Sequence, residues 1–345
     1  MCQGTAELTL PKQSIERKMT PQIELRYPFV IASLAKPMSN PTPIAGDSSS
    51  RRLMRGRDKR TLHSNREFVT LRSRSGIVHA VRDLRGDQLA QLATDPEGTL
   101  WDNLDRPVKL GHGSQMVEAE LSLLRRSAHV AYKRYRPRTL WKAFCGLFRH
   151  GRAWKSWHRG HALHARHIAT ARPLAMVECR GLPHAGVSYL VTEWIEDAEN
   201  LHLLGWRMAD EPLPIRLHVA SRCAESVGRL VGRMHAWQIF HGDLKAANVL
   251  ISFDQDTPST YLIDVDDVRI CRRLSHRRRV IDLARLATGL AAHSWVSRTV
   301  CRRFFRAYAS QFPPGTIAWK PLWRAVVKRS RGMAAKMRRR GQPLL

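Results

Sequence analysis

Asp243 stands five residues before Asn248 in the run His241, Gly242, Asp243, Leu244, Lys245, Ala246, Ala247, Asn248, and a second acidic group, Asp264, follows in LIDVDD. Carboxylate, amide and lysine at such close spacing are the residue types that hold a divalent cation and move a proton. Phosphoryl transfer from a nucleotide needs such a set, because it is catalysed mainly by positioning and by neutralising charge on the moving group. An isolated His-x-Asp is also an ordinary surface turn, so the weight falls on what accompanies it. Upstream, Gly111 and Gly113 flank His112 in LGHGS, where missing side chains let backbone N–H groups come close to phosphates. Lys133 follows in VAYKRY.

These residues need elements to carry them. Residues 1–65 recur in proline and lack any sustained periodicity, and they read as a disordered basic tail. EFVTLRSRSGIVHAVR, from Glu67 to Arg82, alternates apolar residues around a Ser-Gly turn and predicts a hairpin. A short polar connection leads to a strand before the glycines, then strands at Met116–Leu123 and Ala128–Tyr135. A basic and aromatic helical stretch to about Ala169 follows, and then strands at Pro173–Cys179 and Val187–Ile195. Between Ile215 and Gln238, Ala220, Cys223, Val227, Leu230, Val231 and Met234 fall three and four apart, which predicts a long helix with one buried face. Further helices are expected at Arg277–Ala291 and Ser297–Phe312, and a short strand in TYLID. The expected organisation is α+β: a small antiparallel-sheet lobe over 66–195 and a mainly helical lobe over 196–345.

HGDLKAAN with LIDVDD resembles the catalytic loop and metal-binding strand end of protein-kinase-like phosphotransferases. The spacing from Gly111 to Lys133 is similar to that between the glycine-rich loop and the phosphate-gripping lysine of that superfamily. The resemblance implies a two-lobed kinase-like fold using ATP and Mg²⁺. It implies that Asp243 accepts the proton of the acceptor hydroxyl and that Lys245 neutralises γ-phosphoryl oxygens. Asn248 and Asp264 would hold Mg²⁺, Lys133 would grip the nucleotide phosphates under Gly111 and Gly113, and His241 would brace the loop. Two departures stand out. Met116 replaces the third glycine, and no Asp or Glu occurs between Arg134 and Val177, where the helix glutamate that partners the lysine should lie.

Together with IATARPLAMVE, SYLVTEWIE and DLARL, these motifs resemble the bacterial lipopolysaccharide kinase family, which phosphorylates Kdo or heptose sugars of the lipid A inner core. The resemblance covers about Val108 to Tyr308. It implies a lipopolysaccharide core or lipid A precursor as acceptor. After Asp267 the chain runs through VRICRRLSHRRRVIDLARL with no APE and little room for a peptide platform, which suits a short acceptor. The alternatives are a protein or small-molecule kinase of the same fold, and a pseudokinase that binds anionic lipid without turnover.

Composition agrees with an anionic partner. The 345 residues hold 58 Lys and Arg against 29 Asp and Glu, a net charge of +29, which concentrates polyanions. With no recognised nucleic-acid module, nucleic acid is not expected, and an anionic membrane surface is. Trp141, Phe144, Phe148, Trp154 and Trp157 amid Lys and Arg suit either a membrane interface or core packing. KPLWRAVVKRSRGMAAKMRRR reads either as a helix lying on lipid or as one packed on the large lobe. No apolar run is long enough to span a bilayer, no secretory signal is evident and the six cysteines are scattered. The expected location is cytoplasmic, peripheral at the inner membrane. Four histidines, His158, His161, His164 and His167, turn progressively around a helix axis and do not suit one metal site.

Overall fold

The computed structural model describes residues 48–73, 76–103, 107–111, 113–137, 139, 150–180 and 186–342. Residues 1–47 of the expected tail, His112, Trp141, Phe144 and Phe148 lie outside the described residues. From Ser48 onward the tail expectation is corrected. Helix α1 occupies Ser48–Arg60, and it is anchored where sequence periodicity gives no hint. Arg166 donates to both oxygens of Asp58, at 2.8 and 2.9 Å, and both side chains are buried. Trp157 Nε1 donates to the Thr61 carbonyl at 3.0 Å just beyond the helix. Removing one partner of such a pair would strand a buried charge, at a cost of about 3–5 kcal/mol.

Strands β1 (Phe68–Arg72) and β2 (Gly76–Val81) form the expected hairpin, with Phe68 opposite Val81. The connection that follows is not merely polar: it folds into α2 (Gly86–Thr94) and α3 (Gly98–Trp101). Leu92 and Leu100 there are buried in the sheet core. Then come β3 (Pro107–Gly111), β4 (Ser114–Ser122), β5 (Ser127–Tyr135), helix α4 (Arg152–His164), β6 (Pro173–Cys179) and β7 (Ser188–Glu193). Among the described residues, β1 to β7 make one antiparallel sheet in the order β1-β2-β6-β7-β5-β4-β3. Alternation along β4 and β5 puts Val117, Ala119 and Leu121, and Val130 and Tyr132, into the core, where Trp157 of α4 is fully buried against them. Arg134, also buried, is matched by Glu97 at 2.6 Å, and Tyr189 donates to the same carboxylate at 2.8 Å.

Beyond the sheet come β8 (Ala198–Asn200), α5 (Leu201–Arg207), α6 (Leu213–Ala236), β9 (Ile239–Phe240), β10 (Val249–Asp254), β11 (Thr257–Leu262) and β12 (Arg269–Ile270). Helices α7 (His276–Leu290), α8 (Arg298–Ala309) and α9 (Trp319–Arg339) complete the order. A second core gathers Val227, Val231 and Met234 of α6 with Leu244, Ile251, Leu262, Leu283 and Tyr308. The apolar face expected of α6 is the buried one, and Arg222 and Arg229 are exposed. Gly228 and Gly232 let α6 press against the backbone of α8: a Cβ at either would sit 2.5–2.6 Å from the Phe304 or Tyr308 carbonyl oxygen. Leu322 and Val326 of α9 are buried in the same core and Trp323 lies edge-on to Phe305 at 5.2 Å. The apolar side of α9 therefore covers the lobe, and the side left to solvent is basic. Of the histidines, His161 is wedged between Phe68 and Trp157, and His158 stacks on Trp154.

Candidate active site

The two halves of the site arrive from the two cores. From the second, α6 ends at Ala236 and the chain turns through Gln238 into β9, which delivers His241, Gly242 and Asp243. Gly242 adopts φ +84°, a left-handed backbone that side chains disfavour, and a Cβ there would meet the Asp267 carbonyl oxygen at 3.0 Å. Asp282 of α7, wholly buried, fixes this turn: its carboxylate accepts from the backbone N–H of His241 at 2.8 Å and of Gly242 at 3.0 Å. His235 bridges Asp282 at 3.2 Å and the Tyr308 hydroxyl at 2.9 Å. Burial holds both His235 and His241 below the usual imidazole range, despite the acids around them.

Asp243 is then held from three sides. Asn248 Nδ2 donates to its carbonyl at 2.9 Å and to Oδ2 at 3.2 Å, Lys245 Nζ lies 3.6 Å from Oδ2, and Arg285 Nη1 donates to Oδ1 at 2.6 Å. The five-residue spacing matters because a 3₁₀ turn over Ala246–Asn248 folds the asparagine back onto the aspartate. The β10–β11 hairpin carries the next acid. Val249 pairs with Leu262 and Ile263 N donates to the Asn248 carbonyl at 3.0 Å, so Asn248 and Asp264 come off neighbouring strand ends.

Asp264 sits at φ +57°, and its Oδ1 accepts from Lys133 Nζ, on β5 of the sheet, at 3.1 Å. Burial opposes the lysine's charge, but Tyr135 and Asp264 outweigh it, and its pKa lies above the ordinary value. The pair joins the two cores. Gly111 and Gly113 stand at the tip of the β3–β4 hairpin, where Ser114 pairs with Tyr135, two residues past Lys133. They flank the cleft at the end of this strand.

Four participants were not anticipated. Asp282 and Arg285 occupy DLARL, three apart and so on one helix face, with the first on the loop backbone and the second on the Asp243 carboxylate. A lone DxxR in a helix carries no such message by itself. The absent glutamate has the opposite counterpart: α4 contributes a cation. Arg152 Nε donates to Asp266 Oδ2 at 2.5 Å, Arg159 donates to the Asp266 carbonyl, and the Arg152 guanidinium covers the Tyr135 ring at 4.8 Å. Burial and the neighbouring Asp264 charge raise the Asp266 pKa, and Arg152 acts against that rise.

Magnesium takes one or two carboxylates and completes its shell with water and nucleotide phosphates. Asp264, with the side-chain oxygen of Asn248 left over when its Nδ2 is spent on Asp243, matches that donor set. Among the described residues no cluster of three His, Cys, Asp or Glu forms a self-sufficient metal cage, and an ion shared with a nucleotide needs none. When bound, the ion would neutralise phosphate charge.

A small antiparallel lobe carrying a half-buried lysine, a helical lobe carrying an aspartate–asparagine loop, and an acidic strand end between them define a kinase-like phosphotransferase. Among solved structures the chain is similar to WaaP in complex with acyl carrier protein, with a TM-score of 0.50 at 20% identity over 74% of this chain and 97% of that one. No curated protein matches it. Over residues 118–308, more than half its length, it matches the lipopolysaccharide kinase (Kdo/WaaP) family. The chain belongs to that family, and it is a kinase.

Proposed function

We propose that the chain transfers the γ-phosphoryl group of ATP to a hydroxyl of a Kdo or heptose sugar in the lipopolysaccharide inner core, with Mg²⁺, while held against the anionic face of the inner membrane. The observation that carries the reading is the pairing, at 3.1 Å, of Lys133 from the sheet with Asp264, which comes off the strand end next to Asn248 of the Asp243–Asn248–Arg285 cluster. In this reading Lys133 grips the nucleotide phosphates beneath the Gly111–Gly113 tip, and Asp264 and Asn248 hold the metal. Asp243 takes the hydroxyl proton, oriented by Arg285, and Lys245 faces the γ-phosphoryl oxygens. The net charge of +29 favours an acceptor embedded in a negative surface. Among the described residues no helix is long and apolar enough to cross a membrane.

The test is incorporation of labelled phosphate into purified inner-core glycolipids ending in Kdo or in heptose, beside a peptide panel. Mass spectrometry of lipopolysaccharide from cells with and without the protein completes it. One phosphate lost from an inner-core sugar in the deficient cells is the expected result. Incorporation into peptide alone would overturn the sugar assignment, and none anywhere would favour a binding protein.

A partner reading has its own observation. A cavity of about 380 Å³ in the helical lobe is walled by apolar side chains including Leu204, Met208, Val227, Leu286 and Val326. WaaP was solved with an acyl carrier protein, and a space of this lining suits an acyl chain. The expected result is that acylated carrier protein co-elutes with the purified chain and the unacylated form does not; equal retention of both forms would refute the cavity's part in it.

A further inference from the structure

Six arginines face one hollow beside the catalytic loop. Arg52 and Arg55 come from α1, Arg269 from β12, Arg272 and Arg273 from the turn after it, and Arg278 from the first turns of α7, around a space of about 1310 Å³. Among the described residues no acidic side chain lines it. None of the six enters an ion pair among the described residues, whereas Arg152, Arg166 and Arg285 elsewhere all do. Six like charges around one concavity repel each other and focus a positive potential into it, so the hollow is relieved only by an anion.

The hollow is built rather than incidental. Gln238, itself at φ +60°, accepts from Cys271 N at 2.9 Å through its carbonyl and from Leu274 N at 2.8 Å through Oε1, which clamps the turn that bears Arg272 and Arg273. Arg278 is steadied by Cys271 Sγ at 3.1 Å and by the Phe240 ring. Arg52 and Arg55 are brought in because the buried Asp58–Arg166 pair fixes α1. That helix lies before residue 118, where the family match begins. Its address is specific. Arg269 pairs with Phe240, one residue before His241, and α7, which supplies Arg278, goes on to supply Asp282 and Arg285.

We propose that this hollow binds phosphomonoester groups borne by the acceptor glycolipid, so that phosphates already on the lipid position its sugar at Asp243. The chemistry favours phosphate: all six groups are guanidiniums, whose planar fork meets phosphate oxygens two at a time, where lysines would offer only point charge. Among the described residues no aromatic side chain lines the hollow, so they offer no stacking surface of the kind by which single-stranded nucleic acid is held. The location rests on the kinase reading of the Asp243 loop; the binding chemistry does not.

The test is therefore binding without ATP. The wild-type protein and the variants R52Q/R55Q, R272Q/R273Q and R329Q/R331Q are titrated with phosphatidylcholine vesicles carrying either bisphosphorylated lipid A or its dephosphorylated form. Inorganic pyrophosphate and a short single-stranded oligonucleotide serve as competitors. Arg329 and Arg331 lie on α9, away from the hollow, and match the loss of charge. Wild type is expected to prefer the phosphorylated vesicles. Each hollow variant is expected to lose about tenfold or more of that affinity, as fits removal of charged hydrogen bonds, and the α9 variant less than about threefold. Pyrophosphate is expected to compete in wild type and not in the hollow variants. Equal losses in all three variants would reduce the effect to net charge and overturn the proposal. Pyrophosphate binding without preference between vesicles would assign the hollow to soluble phosphate, and displacement by the oligonucleotide alone would assign it to nucleic acid; both overturn it. Binding that follows the expected pattern in a protein that phosphorylates no sugar would sink the acceptor reading of Asp243 and leave this site standing.

Discussion

Asp243→Asn is expected to lower turnover on a saturating glycolipid acceptor by about a thousandfold while the KM for ATP moves less than about threefold. The substitution is nearly isosteric, so Arg285 at 2.6 Å and Asn248 at 2.9 Å from the same residue keep a partner to hold. What it removes is the carboxylate that we propose takes the hydroxyl proton. The grip on nucleotide that we propose comes from Lys133 and Asp264, which pair with each other at 3.1 Å, so thermal shift with ATP and Mg²⁺ should be retained. A turnover within about tenfold of wild type would remove Asp243 from the proton-transfer role. Arg285→Gln leaves that carboxylate in place but loosens it, and the expected loss is smaller.

Asp282→Ala is expected to carry the largest stability cost of any single change at the site, about 3–5 kcal/mol. Its carboxylate is wholly buried and satisfies two backbone N–H groups, those of His241 and Gly242, as well as the His235 ring. Truncation leaves those donors without the acceptor they share. Urea unfolding should show the midpoint fall at an unchanged slope, and thermal melting should drop by roughly 10 °C. Asp282→Asn keeps one acceptor oxygen and should fall between the two. A melting point for the alanine variant within about 2 °C of wild type would mean that the loop is held by something else.

The parts of this protein legible from sequence are those encoded locally. The His241–Asn248 run is a single short loop closed by a 3₁₀ turn, the strand that precedes Asp264 ends at Leu262, and the apolar steps of α6 lie on one helix, so each is read from neighbouring residues. What stayed hidden depends on partners far apart in the chain. SSSRRLMRGRDKR has almost no apolar stripe to announce α1, and its anchor, Arg166, is 108 residues from Asp58. The link between Gly86 and Trp101 reads as polar because Asp87, Gln88, Gln91, Asp95 and Glu97 break up its short apolar stretches, and what buries Leu92 and Leu100 is the distant sheet. Arg285 and Asp282 were visible as letters in DLARL, but their meaning comes from the loop they face. The missing glutamate was noticed as a gap; that an arginine of the same helix would reach a different acid could not follow from its absence.

The polarity of that helix contact has a mechanical consequence. In protein kinases the helix carries the negative partner of the nucleotide lysine, and rocking the helix outward disarms the enzyme. Here Arg152 clasps Asp266, Lys133 leans on Asp264 directly, and both cations lie over the Tyr135 ring. Rocking α4 would therefore pull first on the acidic turn, and reach the lysine only through Asp264 and that shared ring.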